Sequence, residues 1–201
     1  MEKEKEFIMK PKNDFCFKEL MMDDEVRKGF LAACLHIDPE EIKETRILPT
    51  HLRKKHKDDK LGILDVRISM NNQKEINVEI QLIYMKYWKE RSLFYLCKMF
   101  SDQLHEGEEY GELEQCIHIG ILDFNLFPDD KEYYSCFHLW EDSRKRQYSD
   151  KLELHVLELP KLGKHQYPED ALLKWANFLN GTQKEEMEAV AKTDKYVEKA
   201  Y

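Results

Sequence analysis

Three residues, Asp65, Glu79 and Gln81, have the side-chain types and the spacing of a divalent-metal site. Two carboxylates that lie side by side repel each other, and one of them takes a raised pKa unless a cation lies between them. Mg²⁺ prefers oxygen ligands and keeps several waters, one of which can attack a phosphodiester. A glutamine near such a site can hydrogen-bond a water but supplies no charge. This chemistry requires that the two acids lie together in the fold.

A predicted β-hairpin brings the two acids together. Residues 63–70 and 76–82 each carry an apolar residue at every second position, and the residues between the two stretches are polar. This pattern predicts two half-buried strands joined by a turn. Burial of the apolar rows places Asp65, Glu79 and Gln81 on one face of the sheet in any register.

The length of the turn decides which residues are paired. A three-residue turn at 71–73 sets Asp65 directly opposite Glu79, and a slip of two residues sets it opposite Gln81. In either register the Cβ atoms of the two acids are roughly 5–8 Å apart, close enough for both to bind one ion. The alternation alone fits at least as well an ordinary amphipathic hairpin whose charged face is solvated, so both interpretations stay open at this point.

The other periodicities predict helices before and after the hairpin and further strands behind it. Predicted helices cover residues 13–22, 24–35, 84–106, 168–179 and 183–201, and predicted strands cover 113–124, 132–140 and 151–159. This order indicates an α/β or α+β sandwich with a mixed sheet. At 201 residues the chain is expected to be a single domain, with its core at about 10–160 and C-terminal helices at about 168–201.

Charge and hydropathy narrow the class of protein. No apolar run approaches the ~20 residues of a membrane helix, and the charged start has no signal-peptide core. We therefore expect a cytoplasmic protein with no membrane partner. The net charge of −8 weighs against binding to DNA, although a local basic groove can lie on an acidic body.

The cysteines and histidines give no motif for a metal. The five cysteines are widely spaced without a CxxC pair, which indicates reduced, mostly buried thiols and neither a disulfide framework nor a zinc site. The eight histidines lack a metal-binding spacing. His118 lies in an apolar stretch and is expected to be a core histidine with its hydrogen bonds satisfied.

Several stretches taken together resemble one nuclease family. They are Leu61–Arg67 with Ile76–Gln81, Pro11–Lys18, Glu90–Arg91 with Tyr95, and Gly107–Tyr110 followed by Cys116–Phe124. The first pair resembles the core of the PD-(D/E)xK nucleases. The full set is similar to the recombination-promoting nuclease and transposase family within that superfamily, and the similarity covers about residues 10–126.

The resemblance implies a restriction-endonuclease-like core, that is, an α/β fold with a mixed sheet flanked by helices. It also implies a bacterial endonuclease that depends on Mg²⁺ or Mn²⁺, acts on DNA and promotes recombination or transposition. Asp65 and Glu79 would be the metal ligands. Gln81 would complete the catalytic set at a position where the wider superfamily often has lysine, whose positive charge glutamine lacks. The narrower family commonly shows glutamine there.

Four further residues match the family and are accessory candidates. Asp14 would either add an acid near the metal or cap the first helix, and Lys18 would either contact a phosphate or pair with Asp14. Arg91 and Tyr95 share a helix face. Either Arg91 would clamp a phosphate and Tyr95 would hydrogen-bond the site, or Arg91 would simply stack on Tyr95 at the surface.

A basic stretch before the hairpin is the candidate for contacts with the DNA backbone. Arg53, Lys54, Lys55 and Lys57 would position DNA without reading its sequence, or they form an ordinary solvated charge run. The expected partners are DNA and, for cleavage of both strands, a second copy of the chain as a homodimer.

Two other functions stay open on the sequence alone. A catalytically silent member of the superfamily would bind DNA or a protein partner. A regulatory protein would use the apolar C-terminal helices over 183–201 for interaction.

Overall fold

The described part of the chain, residues 9–52, 62–164 and 170–201 of the computed structural model, forms a six-stranded mixed sheet with helices on both faces. The helices are α1 (Asp14–Met22), α2 (Asp24–Leu35), α3 (Trp88–Ser101), α4 (Ala171–Asn180), α5 (Lys184–Ala191) and α6 (Lys195–Ala200). The strands are β1 (Thr45–Leu48), β2 (Val66–Met70), β3 (Lys74–Gln81), β4 (Gln115–Leu122), β5 (Tyr134–Trp140) and β6 (Gln147–Glu158). The predicted α/β fold with a restriction-endonuclease-like core is confirmed. No helix in these ranges is long and apolar enough to cross a membrane.

The strand order β1-β2-β3-β4-β6-β5 combines two kinds of pairing. β1, β2 and β3 pair antiparallel, and β5 pairs antiparallel with β6. β4 pairs parallel with both β3 and β6. Parallel neighbours need a crossover connection, and α3 supplies it between β3 and β4. β3 and β4 therefore end at the same edge of the sheet.

The β2–β3 hairpin has the register predicted for a three-residue turn at 71–73. Val66 pairs with Val78 across the two strands. The next position along the register places Asp65 opposite Glu79, which is the arrangement that the metal-site interpretation requires.

Both faces of β3 are buried. Ile76, Val78 and Ile80 pack in the main core with α2 and the C-terminal helices. Asn77 and Glu79 point to the opposite face, which α3 covers, and they are 0% and 1% exposed. The alternative of a hairpin with a solvated charged face is therefore wrong.

The segment that carries Asp65 is shorter and less regular than the predicted strand over 63–70. β2 begins at Val66, and the chain bends at Asp65. Leu64 was predicted on the face of Val66 but packs in a separate cluster with Tyr95 of α3. Leu82, also predicted on the apolar face, is 37% exposed. A bend in the chain, more than strand alternation, brings Asp65 to its position.

Other element boundaries also differ from those predicted. β1 was not predicted, because its four residues are only partly buried at the edge of the sheet. α3 begins at Trp88 and not at residue 84, because the apolar side chains just before it are exposed and only Trp88 starts the buried stripe. β6 begins at Gln147, inside a segment predicted to be a charged connection.

The C-terminal segment predicted as one helix over 183–201 is two helices. Asp194 begins α6 by accepting hydrogen bonds from the backbone amides of Tyr196 and Val197, as an N-cap does. Met187 of α5 and both of these α6 residues pack in the main core. The apolar faces of the two helices are used within the fold, which removes the support for a regulatory protein that binds partners through them.

Candidate metal centre

Asp65 is held at the entrance to β2 by a backbone amide and a lysine. Its Oδ2 accepts a 3.2 Å hydrogen bond from the backbone amide of Ile80 in β3. The side chain of Asp65 thus provides the acceptor for this amide just before β2 begins. Its Oδ1 lies 3.5 Å from Nζ of Lys18. Burial raises the pKa of Asp65, while Lys18 and the Ile80 amide oppose the increase and Asp14 adds to it. The Ile80 amide thus fixes the orientation of the Asp65 carboxylate, whereas Lys18 compensates only part of the effect of burial on its pKa.

Glu79 is the most strongly perturbed acid of the site. Its side chain is 2% exposed, and Oε1 lies 2.5 Å from Nη2 of Arg91. Burial, the largest cause, raises the pKa of Glu79 to about 7, and the charge of Asp65 raises it as well, whereas Arg91 and Asn77 lower it. The two carboxylates therefore lie in one poorly solvated pocket, in which the charge of Asp65 disfavours the charged form of Glu79.

Arg91 and Tyr95 share one face of α3, as predicted. The guanidinium carbon of Arg91 lies 5.1 Å from the centroid of the Tyr95 ring, a cation–π distance. Burial raises the pKa of the Tyr95 hydroxyl, with Arg91 opposing it and both Glu79 and Asp65 adding to it. The stacking on Tyr95 and the ion pair with Glu79 occur together, so Arg91 is oriented toward the carboxylate.

α1 contributes a charged pair to the same place. Asn13 and Asp14 were both candidates for the N-cap of α1, and Asn13 takes this role, since its side chain accepts from the amide of Phe15. Asp14 instead pairs with Lys18, with Nζ 2.8 Å from Oδ1. Burial opposes protonation of Lys18, but the hydrogen bond with Asp14 and the charge of Asp65 raise its pKa overall. Lys18 therefore joins the two aspartates.

Gln81 makes its hydrogen bond away from the two acids. The amide nitrogen of Gln81 donates a 2.9 Å hydrogen bond to the carbonyl of Ile83 and to neither carboxylate. The candidate DNA contacts Arg53, Lys54, Lys55 and Lys57 lie outside the described residues.

A buried polar layer beneath Glu79 was missed by sequence reasoning. Nδ1 of His118 lies 2.9 Å from Nδ2 of Asn77. Burial lowers the pKa of His118 to about 3, so the ring is neutral at physiological pH. Nε2 of His118 and Oδ1 of Asn77 have no hydrogen-bond partner among the described residues, so the prediction of a fully satisfied core histidine is wrong. The position of Asn77, two residues before Glu79 on the same strand face, was the available signal.

Close packing of Trp88 against Gly120 completes this layer. Gly120 pairs with Glu79 across β3 and β4. A Cβ at Gly120 would lie 2.7 Å from Cζ2 of Trp88, so only glycine leaves room for the indole there. Trp88 is 1% exposed and seals the pocket on the α3 side.

The donor set fits a hard divalent cation. Among the described residues neither oxygen of Glu79 has a hydrogen bond of good geometry, although Arg91 lies close to Oε1. Asp65 supplies a second carboxylate opposite it, and both are oxygen ligands of the kind that Mg²⁺ and Mn²⁺ take. A cation between them would offset the burial that raises the pKa values of both acids and the charge of Asp65 that adds to the increase at Glu79.

Comparison with known proteins decides the family. The model of the PD-(D/E)XK nuclease family transposases matches residues 11–201. The chain belongs to this family. The match includes every described residue of the candidate site and extends through the C-terminal helices, and PD-(D/E)XK nucleases generally use divalent metal ions. No curated protein and no solved structure gives a match.

Proposed function

We propose that this PD-(D/E)XK protein is a DNA endonuclease that depends on Mg²⁺ or Mn²⁺, with Asp65 and Glu79 as the metal ligands. The observation that carries the proposal is the buried carboxylate of Glu79, with a pKa of about 7, facing a second carboxylate at the end of a hairpin. A buried acid beside a second, half-buried acid is unfavourable in a purely structural role and favourable around a cation.

The surrounding side chains take supporting roles in this proposal. The bound ion would supply Lewis acidity toward the phosphate and lower the pKa of a water. Arg91 and Lys18, which form ion pairs with the acids, would bind the phosphodiester, with Tyr95 orienting Arg91 and Asp14 orienting Lys18. Gln81 would turn from the Ile83 carbonyl to hold the attacking water.

The proposal extends to partners and setting. Arg53, Lys54, Lys55 and Lys57 would contact the DNA backbone, which compensates locally for the acidic net charge. Cleavage of both strands would use a homodimer, whose mass light scattering measures directly. We place the activity in the cytoplasm, where it would serve recombination or transposition.

Cleavage of supercoiled plasmid tests the proposal. The chain should nick plasmid in the presence of Mg²⁺ or Mn²⁺ and lose this activity when a chelator is added. Asp65→Asn should reduce cleavage by at least about 100-fold, since the loss of even an outer-shell partner of a metal costs about 10–100-fold. Asn keeps the shape of the side chain and an oxygen that can accept from Ile80, so the fold should survive.

Asp142→Asn is the matched control, because it removes an exposed aspartate in the turn between β5 and β6. It should cleave like the unsubstituted chain. Nicking that persists in chelator, or that is unaffected by Asp65→Asn, would contradict the proposal. DNA retention in a gel-shift assay without any metal-dependent cleavage would favour instead a catalytically silent DNA-binding module.

A further inference from the structure

A second group of potential ligands lies at the opposite end of the sheet. On the antiparallel pair β5–β6, Cys136 is the register partner of His155. The ligand atoms of Cys136, His138 and Glu153 all lie within 4.8 Å of one another. None of these residues contacts Asp65 or Glu79 in the described structure, so the group is separate from the candidate nuclease site.

The spacing of these atoms is close to that of a zinc site. Sγ of Cys136 lies 3.7 Å from Oε1 of Glu153, and 3.9 and 4.0 Å from the two ring nitrogens of His138. Nε2 of His138 lies 3.5 Å from Oε2 of Glu153. Ligands at Zn–S of about 2.3 Å and Zn–N or Zn–O of about 2.1 Å in a tetrahedron are about 3.4–3.6 Å apart. Each pair is therefore within a few tenths of an ångström of a zinc spacing when both oxygens of Glu153 are counted, and with one ligand atom per residue the three atoms lie within 4.8 Å of one another.

A buried scaffold fixes the carboxylate in this group. Glu153 accepts from Nε2 of Gln115 at 2.9 Å and lies 2.6 Å from Nε2 of His155. His155 is 2% exposed, and its Nδ1 lies 2.6 Å from the hydroxyl of Tyr134. Since a carboxylate only accepts, Nε2 of His155 must carry the proton. His155 is therefore an outer partner that orients Glu153, as the outer groups of zinc sites orient their ligands.

The strand geometry leaves one coordination position open. The pairing of β5 with β6 is irregular, because Phe137 pairs with Leu154 but Leu139 pairs with Ser149. The extra residues, Glu153 among them, therefore lie on β6 opposite His138, and a bulge of this kind redirects side chains. Cys136 is exposed, contrary to the prediction of mostly buried thiols, and so is Cys97. Three ligands from two strands, with solvent on the remaining side, form an open tetrahedral set.

We propose that Cys136, His138 and Glu153 bind Zn²⁺. A thiol sulfur, an imidazole nitrogen and a carboxylate oxygen together select a borderline transition metal over Mg²⁺, which takes oxygen alone. Binding would release the thiol proton and place a cation between Cys136 and the carboxylate of Glu153. The sequence pointed away from a zinc site because its ligands form no CxxC or HExxH motif and come from strands paired only in the fold.

Cobalt and zinc titrations of the full chain carrying Asp65→Asn test the proposal, since this background weakens the nuclease site. Co²⁺ should give a thiolate-to-cobalt charge-transfer band that Zn²⁺ displaces, with a Kd for Zn²⁺ below about 10 μM. Cys136→Ser should abolish the band and weaken Zn²⁺ binding by at least about 100-fold. Cys97→Ser, which removes the exposed cysteine of α3, is the matched control and should behave like the parent.

A second measurement on the chain without cysteine substitutions covers the case in which Cys136→Ser does not fold. Zn²⁺ should protect Cys136 from alkylation while Cys97 is alkylated at an unchanged rate, as peptide masses report. Free Zn²⁺ at about 100 times Kd should raise Tm by roughly 5–10 °C. The proposal would be overturned by a Kd for Zn²⁺ above the limit given, by the lack of a charge-transfer band in the parent, or by a rate of Cys136 alkylation that Zn²⁺ does not change.

Discussion

Nη2 of Arg91 lies 2.5 Å from Oε1 of Glu79, twelve residues earlier in the chain. The packing of α3 on the sheet, against β4 and β6, brings the two side chains together. The ion pair is asymmetric, because the side chain of Arg91 is 32% exposed and that of Glu79 is 2% exposed. The arginine side chain therefore has room to move, whereas the glutamate is held in its pocket.

Removing this arginine should weaken metal binding. Arg91→Met leaves the fold of α3 intact but takes away the charge that opposes the effect of burial on the pKa of Glu79. That pKa is about 7 with the arginine present and should rise further without it. At about pH 7 the affinity for Mn²⁺ and the cleavage rate should fall by about 10–100-fold, and both should partly recover at higher pH. Arg91→Lys keeps a charge and should lie between the two. Tighter Mn²⁺ binding by Arg91→Met would show that the arginine competes with the metal.

The raised pKa of Glu79 makes an independent prediction about stability without metal. The folded pKa of about 7 lies above the ordinary 4.5, so the folded chain keeps a proton that the unfolded chain releases between these two pH values. The stability from this group is fully present below about pH 4.5 and is lost as the pH rises to about 7. The glutamine in Glu79→Gln does not titrate. The difference in the free energy of unfolding, variant minus parent, should therefore increase by at most about 3 kcal/mol as the pH rises over this range.

Urea unfolding in chelator at about pH 5 and pH 8 measures this difference. Glu185→Gln removes an exposed carboxylate from α5 and serves as the control, with no comparable change between the two pH values. Equal effects of Glu79→Gln at both pH values would mean that Glu79 is ionised in the fold throughout.

Gly120→Ala should disturb the packing of Trp88 beside Glu79. The added Cβ would lie 2.7 Å from Cζ2 of Trp88, which forces the indole to move. Overpacking of this kind destabilises a core by about 1–3 kcal/mol, and Trp88 fluorescence should change with it. Gly111→Ala is the control, since a Cβ there meets nothing within 4 Å. Equal midpoints of urea unfolding for both variants would show that the indole yields without penalty.

The basic stretch should govern DNA affinity more than DNA cleavage chemistry. Simultaneous replacement of Arg53, Lys54, Lys55 and Lys57 by alanine should weaken DNA binding at low salt. It should also flatten the plot of log K against log salt by about 0.9 for each phosphate that the protein no longer neutralises. Replacement of the second basic run, 144–146, is the control. An unchanged salt slope in the first variant would assign the phosphate-binding residues elsewhere.

The sequence was informative where pattern and position are local. Strict alternation placed Asp65 and Glu79 on one strand face, and of the two registers that the sequence left open the one with a three-residue turn is observed. The helix face shared by Arg91 and Tyr95 followed from their spacing of four residues. Each of these predictions depended on neighbours within one element or one hairpin.

The sequence was less informative where distant elements meet. Residue type did not reveal that α3 would bury Asn77 and Glu79 together, because a strand face with polar residues normally lies in solvent. The turn of Leu64 toward Tyr95 depends on a bend at Asp65 that breaks the alternation. Burial of polar groups and local bends are set by tertiary packing, which no periodicity encodes.

The hydrogen bond from the Ile80 amide to Asp65 has a thermodynamic consequence. A free aspartate side chain samples several rotamers, and any ligand that fixes it must offset that loss of entropy. Here the main chain of β3 has already selected one rotamer during folding. An incoming cation therefore meets a preorganised oxygen, and more of its interaction energy remains as affinity.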